Sequence, residues 1–142
     1  MKTDQIDPAR LAILLAELRL PAIRELWQSF AERADKEGWP ASRYLFALAE
    51  HELAERDRRR VLRNLNQARL LPGKTLDAFD FGAVPMISKA HVSAITAGDG
   101  WINKGANILL FGPPGVGKSH LASAIGYSLV ESGHRVLFAR TT

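Results

Sequence analysis

Of the chain's 142 residues, 46% are hydrophobic and 24% charged, with 19 Lys and Arg against 15 Asp and Glu for a net charge of +4. That balance suits a soluble globular protein rather than a disordered one, and no apolar run approaches the roughly 18–20 residues of a bilayer span. The absence of cysteine excludes disulfides and thiolate metal sites and favours a cytoplasmic setting, as does an opening, MKTDQIDPAR, too polar for a secretory signal.

Residues 1 to about 70 read as helical. Leu11, Leu14, Leu15 and Leu18 fall at i, i+3, i+4 and i+7, one apolar stripe with Pro8 near its first turn. Pro21 restarts the pattern, and Ile23, Leu26, Trp27 and Phe30 repeat the spacing up to about Lys36. EGWPAS interrupts the chain before a long third helix, expected from about Ala41 to Leu70. Its apolar positions come early (Tyr44, Leu45, Leu48) and late (Val61, Leu62, Leu65), while its middle is charged on nearly every face and is expected to meet solvent or a partner. A three-helix bundle with the leucines and Trp27 in its core accounts for this half.

The middle of the third helix carries six arginines between positions 56 and 69, among them Arg56, Arg58, Arg59, Arg60 and Arg63, against the one acid Asp57. Such an excess can face a polyanion, with contacts that ignore base sequence and weaken with salt. It can equally be a solvated face, because Glu52, Glu55 and Asp57 stand within i,i+4 reach of Arg56, Arg59 and Arg60.

A connector rich in turn residues, LLPGKTLDAFDFGAVP, follows and marks a boundary. Phe79 and Phe81 alternate with Asp80, so in an extended segment both face one way, and they are expected to dock on the second half. Ser88 can cap a helix through about Ala97, ended by Gly98-Asp99-Gly100. From Asn107 the pattern becomes strand, loop, helix, strand: NILLF, GPPGVGK, SHLASAIGYSLVESG and HRVLFAR. Leu121, Ile125 and Leu129 give the helix an apolar face, with Ala122 and Ala124 allowing close approach. Val136, Leu137 and Phe138 form a run expected in a strand buried on both sides.

Between the first strand and the helix, Gly112, Gly117, Lys118 and Ser119 fit the phosphate-binding pattern G-x-x-x-x-G-K-[ST]. Gly115 and Gly117 can take backbone angles closed to other residues, which lets successive N–H groups converge on a phosphate. The following helix adds its N-terminal partial charge. Lys118 is placed to reach the β- and γ-oxygens of a nucleotide and Ser119 to ligate Mg2+, while Pro113 and Pro114 stiffen the loop around Val116. The pattern alone does not separate ATP from GTP. The four histidines, His51, His91, His120 and His134, show no metal-ligand spacing.

The succession LAELRLPAIRE, ERDRRRVLRNLNQARL, KTLDAFDF, WINKGANILLFGPPGVGKSHLASAIG and GHRVLFART resembles the IstB family from about Leu11 to Thr142. These are transposition helper ATPases of insertion sequences, within the AAA+ class and related to the DnaC/DnaI helicase loaders. The resemblance implies an α/β protein: a helical interaction domain over 1–71, a linker and short helix over 72–106, and the start of a P-loop parallel α/β domain over 107–142. It implies ATP held by Gly112 to Ser119 and by His120, with Mg2+ at Ser119. His120 stands where the family commonly has histidine, and Phe79 and Phe81 match a linker that packs near the base. It further implies DNA, the transposase of the same element and further copies of the chain as partners, and no membrane.

The family pattern extends beyond Thr142, so an N-terminal piece of such a helper is expected. No acid follows Glu131, and HRVLFARTT holds neither the acidic strand motif, nor the sensor, nor the arginine that hydrolysis requires. In the sheet order 5-1-4-3-2 of the AAA+ class the first two strands are not neighbours. Without intervening strands the second half is expected to be weakly stable or to pair its strands differently. A helicase loader of the DnaC/DnaI type, and a non-catalytic helical adaptor with a vestigial loop, stand as alternatives.

Overall fold

The computed structural model describes residues 6–98 and 100–141, so the Asp99 of the expected Gly98-Asp99-Gly100 stop lies outside the described residues. The elements are α1 (Pro8–Glu17), α2 (Pro21–Glu37), α3 (Ala41–Ala68), a 3-10 turn at Phe81–Ala83, α4 (Lys89–Thr96) and α5 (Lys118–Glu131). Two compact units divide between Arg59 and Arg60, inside α3.

In the N-terminal unit the proline starts fall where expected, and the helix ends explain why. Asp7 caps α1 by accepting from the Ala9 N–H at 3.0 Å. Leu20 offers α2 no side-chain cap. Glu52 of α3 takes over that task, its Oε2 accepting from the Ala22 and Ile23 N–H groups at 2.9 and 3.0 Å. Its other oxygen lies 3.6 Å from Arg56 Nε, and Arg56 also donates to the Arg19 carbonyl at 2.9 Å. The charged middle of α3 therefore does not lie wholly outside, since Glu52 is only 3% exposed. A carboxylate at the positive end of α2 is favourable by charge as well as by hydrogen bonding.

The leucine stripe is buried less than its spacing suggests. Leu15 and Leu48 enter the core, whereas Leu14, Leu18, Leu45 and Leu62 remain exposed. Aromatic packing fills part of the unit instead: Trp39 lies under the Arg43 and Arg33 guanidinium groups, 4.3 and 5.1 Å from its ring centre. Tyr44 donates its hydroxyl to the Trp27 carbonyl at 2.8 Å.

In the C-terminal unit α5 is the central element. Phe79, Val92, Leu121, Ile125 and Leu129 form one buried cluster, and Ala68, Leu70 and Val130 a second. Ala124 permits the close packing expected of it, but Ala122 faces outward. Gly126 is the closer approach: a Cβ there would stand 2.6 Å from Leu70 Cδ2. The chain leaving α3 is tied to α5 by the Leu71 N–H donating to Ser123 Oγ at 2.9 Å. The Tyr127 hydroxyl donates to the Leu71 carbonyl at 3.2 Å. Ser88 caps α4 as expected, accepting from the His91 N–H.

No β-strand occurs among the described residues. The segments Asn107–Phe111 and Arg135–Ala139, expected as strands, form no ladder, so the parallel sheet of the expected α/β class is not seen here. A strand exists only by pairing, and in the expected sheet order other strands separate these two. The Phe138 N–H turns instead to the Ala68 carbonyl at the end of α3, at 2.7 Å. Of the run Val136, Leu137 and Phe138, expected to be buried on both sides, Leu137 is 68% exposed while Val136 and Phe138 are half-buried, so the segment is covered on one side only; Leu109 and Phe111 of the first segment are exposed as well.

Candidate phosphate-binding site

The glycine loop leads from Phe111 into the first turn of α5, and its backbone explains its residue types. Gly115 has φ 82°, and Gly117, the residue before α5, has φ 92°. Both values lie in the left-handed region that side-chain-bearing residues avoid. Gly117 has a second reason to be glycine, because a Cβ would stand 3.1 Å from the Phe79 ring. No side chain caps α5 at Gly117, whereas Asp7, Ser88 and Asp80 cap α1, α4 and the 3-10 turn. The N–H groups opening α5 are thus left for another acceptor, at the positive end of the helix.

Lys118 extends back over the loop. Its Nζ donates to the Gly112 and Pro113 carbonyls, at 2.7 Å each. The ammonium group is therefore held at the loop rather than swinging free in solvent. Ser119 is exposed, and its hydroxyl makes no hydrogen bond within the described residues. His120 turns away from the loop: its Nε2 lies 3.0 Å from the Thr75 carbonyl oxygen, and its ring meets Phe79 edge-on at 5.2 Å. Pro113 and Pro114 are exposed and Val116 is half-buried.

Two cavities flank this loop. One, of about 460 Å³, is lined by apolar groups of Phe79, Val84, Met86, Ile87, Phe111 and Val116, with Lys118 at its edge. The other, of about 450 Å³, brings Lys118, Ser119 and Arg140 to one space together with Leu110 and Phe138, and no carboxylate among the described residues lines it. The first can take a flat apolar ring, and the second suits an anion. A larger cavity of about 550 Å³ lies in the N-terminal unit, among Trp27, Trp39, Tyr44 and neighbouring apolar side chains. Among the described residues Asp35 is its only charged lining residue.

Residues 13–142 match the family described as IstB-like ATP binding protein. The chain belongs to that family. An insertion-sequence ATP-binding protein of Sinorhizobium fredii is 68% identical over 139 residues, covering 98% of this chain and 47% of the relative. The corresponding proteins of insertion sequence IS21 from Pseudomonas aeruginosa and of IS5376 from Geobacillus stearothermophilus are 38% and 35% identical, covering 90% and 85% of this chain and 48% of each relative. This IstB-like chain thus spans about half the length of the curated relatives it matches.

The arginine run of the IstB-like chain is not one uniform cluster. Arg56 is engaged within its own unit, as described above, and Arg58 reaches Glu55 at 3.4 Å. Arg59 and Arg63 are exposed and make no hydrogen bond or ion pair within the described residues, whereas Arg60 is exposed but does interact with the protein. At about 100° per residue, Arg56, Arg59, Arg60 and Arg63 fall within about a third of the helix circumference, and Arg58 falls on the other side. Among the described residues no group of His, Asp or Glu side chains can hold a metal, and no helix is long and apolar enough to cross a membrane.

Sequence reasoning placed the loop but missed two of its neighbours. The His120–Thr75 contact spans 45 positions and has no local signal. Arg140 enters the cavity beside Ser119 only through the path of the last extended segment.

Proposed function

We propose that this IstB-like chain binds ATP through Gly112, Pro113, Pro114, Gly115, Val116, Gly117, Lys118 and Ser119, as part of a transposition helper of an insertion sequence. The observation that carries this reading is the uncapped start of α5, reached through two left-handed glycines with the Lys118 ammonium group beside it. In this reading the loop N–H groups hold the phosphates, as anion sites at helix N-termini do. Lys118 leaves the Gly112 and Pro113 carbonyls for the β- and γ-oxygens. The base enters the apolar cavity between Val84–Ile87 and Phe111, with Phe79 at its wall.

Mg2+ fits the site as the nucleotide's companion rather than as a metal held by the protein alone. Ser119 offers one open hydroxyl, and Mg2+ is commonly bound by few protein groups together with substrate phosphates and water. When bound, the ion would neutralise charge on the phosphates, and Ser119 would hold it in register with Lys118.

The same reading assigns 1–71 to an interaction domain, 72–106 to a linker and 107–142 to the start of an ATP-binding domain, whose parallel sheet forms with strands supplied by a full-length helper. DNA, the transposase and further copies of the chain are its proposed partners, in the cytoplasm, with Arg59 and Arg63 the arginines most open to a phosphate backbone. The names of the relatives support ATP and an insertion sequence. Lys118→Ala tests the reading against that of an adaptor with a vestigial loop. Calorimetric titration with Mg-ATP is expected to lose its binding heat in that variant. Equal affinity in the two proteins would leave the loop without a nucleotide role.

A further inference from the structure

We infer that His120 is a positioning residue, which pins the connector before α4 to the first turn of α5 and so sets the phosphate loop in its binding shape. The inference rests on the ATP-binding reading of Gly112 to Ser119 and gives that site a support that neither its motif nor its relatives' names assign.

Two ties run from one stretch of connector to one helical turn. His120 Nε2 stands 3.0 Å from the Thr75 carbonyl oxygen, so in the tautomer protonated at Nε2 it donates to that backbone group. Four residues on, Phe79 packs its ring edge against the His120 ring at 5.2 Å. The same Phe79 ring occupies the space that a Cβ of Gly117 would need. Phe79 is itself fixed, being 8% exposed in the cluster with Val92, Leu121, Ile125 and Leu129, and meeting Phe81 edge-on at 4.8 Å. Asp80 then turns the chain by accepting from the Gly82 and Ala83 N–H groups. The connector therefore lies against the left-handed glycine and the first turn whose N–H groups would meet the phosphates.

The imidazole points to the connector rather than into the loop, so it acts on a nucleotide only through this geometry. Removing it frees the connector and leaves Gly117 to sample other angles, which raises the ordering cost on binding. An amide that reaches the same carbonyl restores the tie: the Gln side-chain nitrogen sits close to where Nε2 of histidine does.

The test compares wild type, His120→Ala and His120→Gln by titration with a fluorescent ATP analogue and Mg2+, and by hydrogen exchange of residues 76–83 without nucleotide. The alanine variant is expected to bind roughly 5–10-fold more weakly, in line with one lost hydrogen bond, and to exchange faster in the connector. The glutamine variant is expected to recover affinity to within about twofold and to restore protection. Should the alanine variant not fold, His120→Asn replaces it, since its shorter amide does not reach Thr75. Unchanged affinity in alanine or asparagine, or equal weakening in glutamine and alanine, overturns the positioning role while leaving ATP binding intact. A folded wild type that binds no nucleotide overturns the ATP reading and this inference with it.

Discussion

Gly117 joins two constraints that a motif search treats as one. Its φ of 92° excludes a side chain by backbone sterics, and the Phe79 ring 3.1 Å from a notional Cβ excludes it by packing. Gly117→Ala is therefore expected to cost about 1 kcal/mol or more in stability and to weaken nucleotide binding by more than the change in stability explains. Thermal melts together with titration separate the two effects; an alanine variant of wild-type stability and affinity would contradict this account. Glu52 presents the opposite case, a charged residue whose spacing suggested an exposed face. Its carboxylate receives two backbone N–H groups at the start of α2. Glu52→Ala is expected to destabilise the protein by about 1–3 kcal/mol without changing nucleotide affinity, as denaturant unfolding and titration would show.

At the scale of elements, helices were legible and strands were not, for a physical reason. Pro8, Pro21 and Ser88 announce helix starts through local chemistry, and α1, α2 and α4 begin beside them. Gly38 closes α2 in the left-handed conformation that few other residues tolerate. A strand has no such local guarantee. NILLF and HRVLFAR carry the right residues, yet they lack neighbours to pair with among the described residues, and their side chains at Leu109, Phe111 and Leu137 stand exposed. Amides of 107–111 and 135–139 are accordingly expected to exchange with solvent much faster than those of α5. Protection in these segments equal to that of α5 would show a ladder that the structure lacks. The Phe79–Gly117 and His120–Thr75 contacts were illegible because they join distant positions, although the aromatic connector was visibly out of place in a solvated loop.

At the scale of the whole molecule, one compact unit ends at Arg59 and a second begins at Arg60, inside α3. The C-terminal unit gathers its core around α5 and pairs neither of its extended segments in a ladder among the described residues, so the extended part of 107–142 is expected to open outside the cooperative transition that melts α5, as hydrogen exchange set beside scanning calorimetry would show. One transition that includes it would contradict this. The central claim is that the loop from Gly112 to Ser119 holds a nucleotide's phosphates, and equilibrium titration of the folded chain with a fluorescent ATP analogue and Mg2+ tests it most directly. The account expects a saturable signal, displaced by unlabelled ATP and by inorganic pyrophosphate; a signal that never saturates, or that neither competitor displaces, would contradict it.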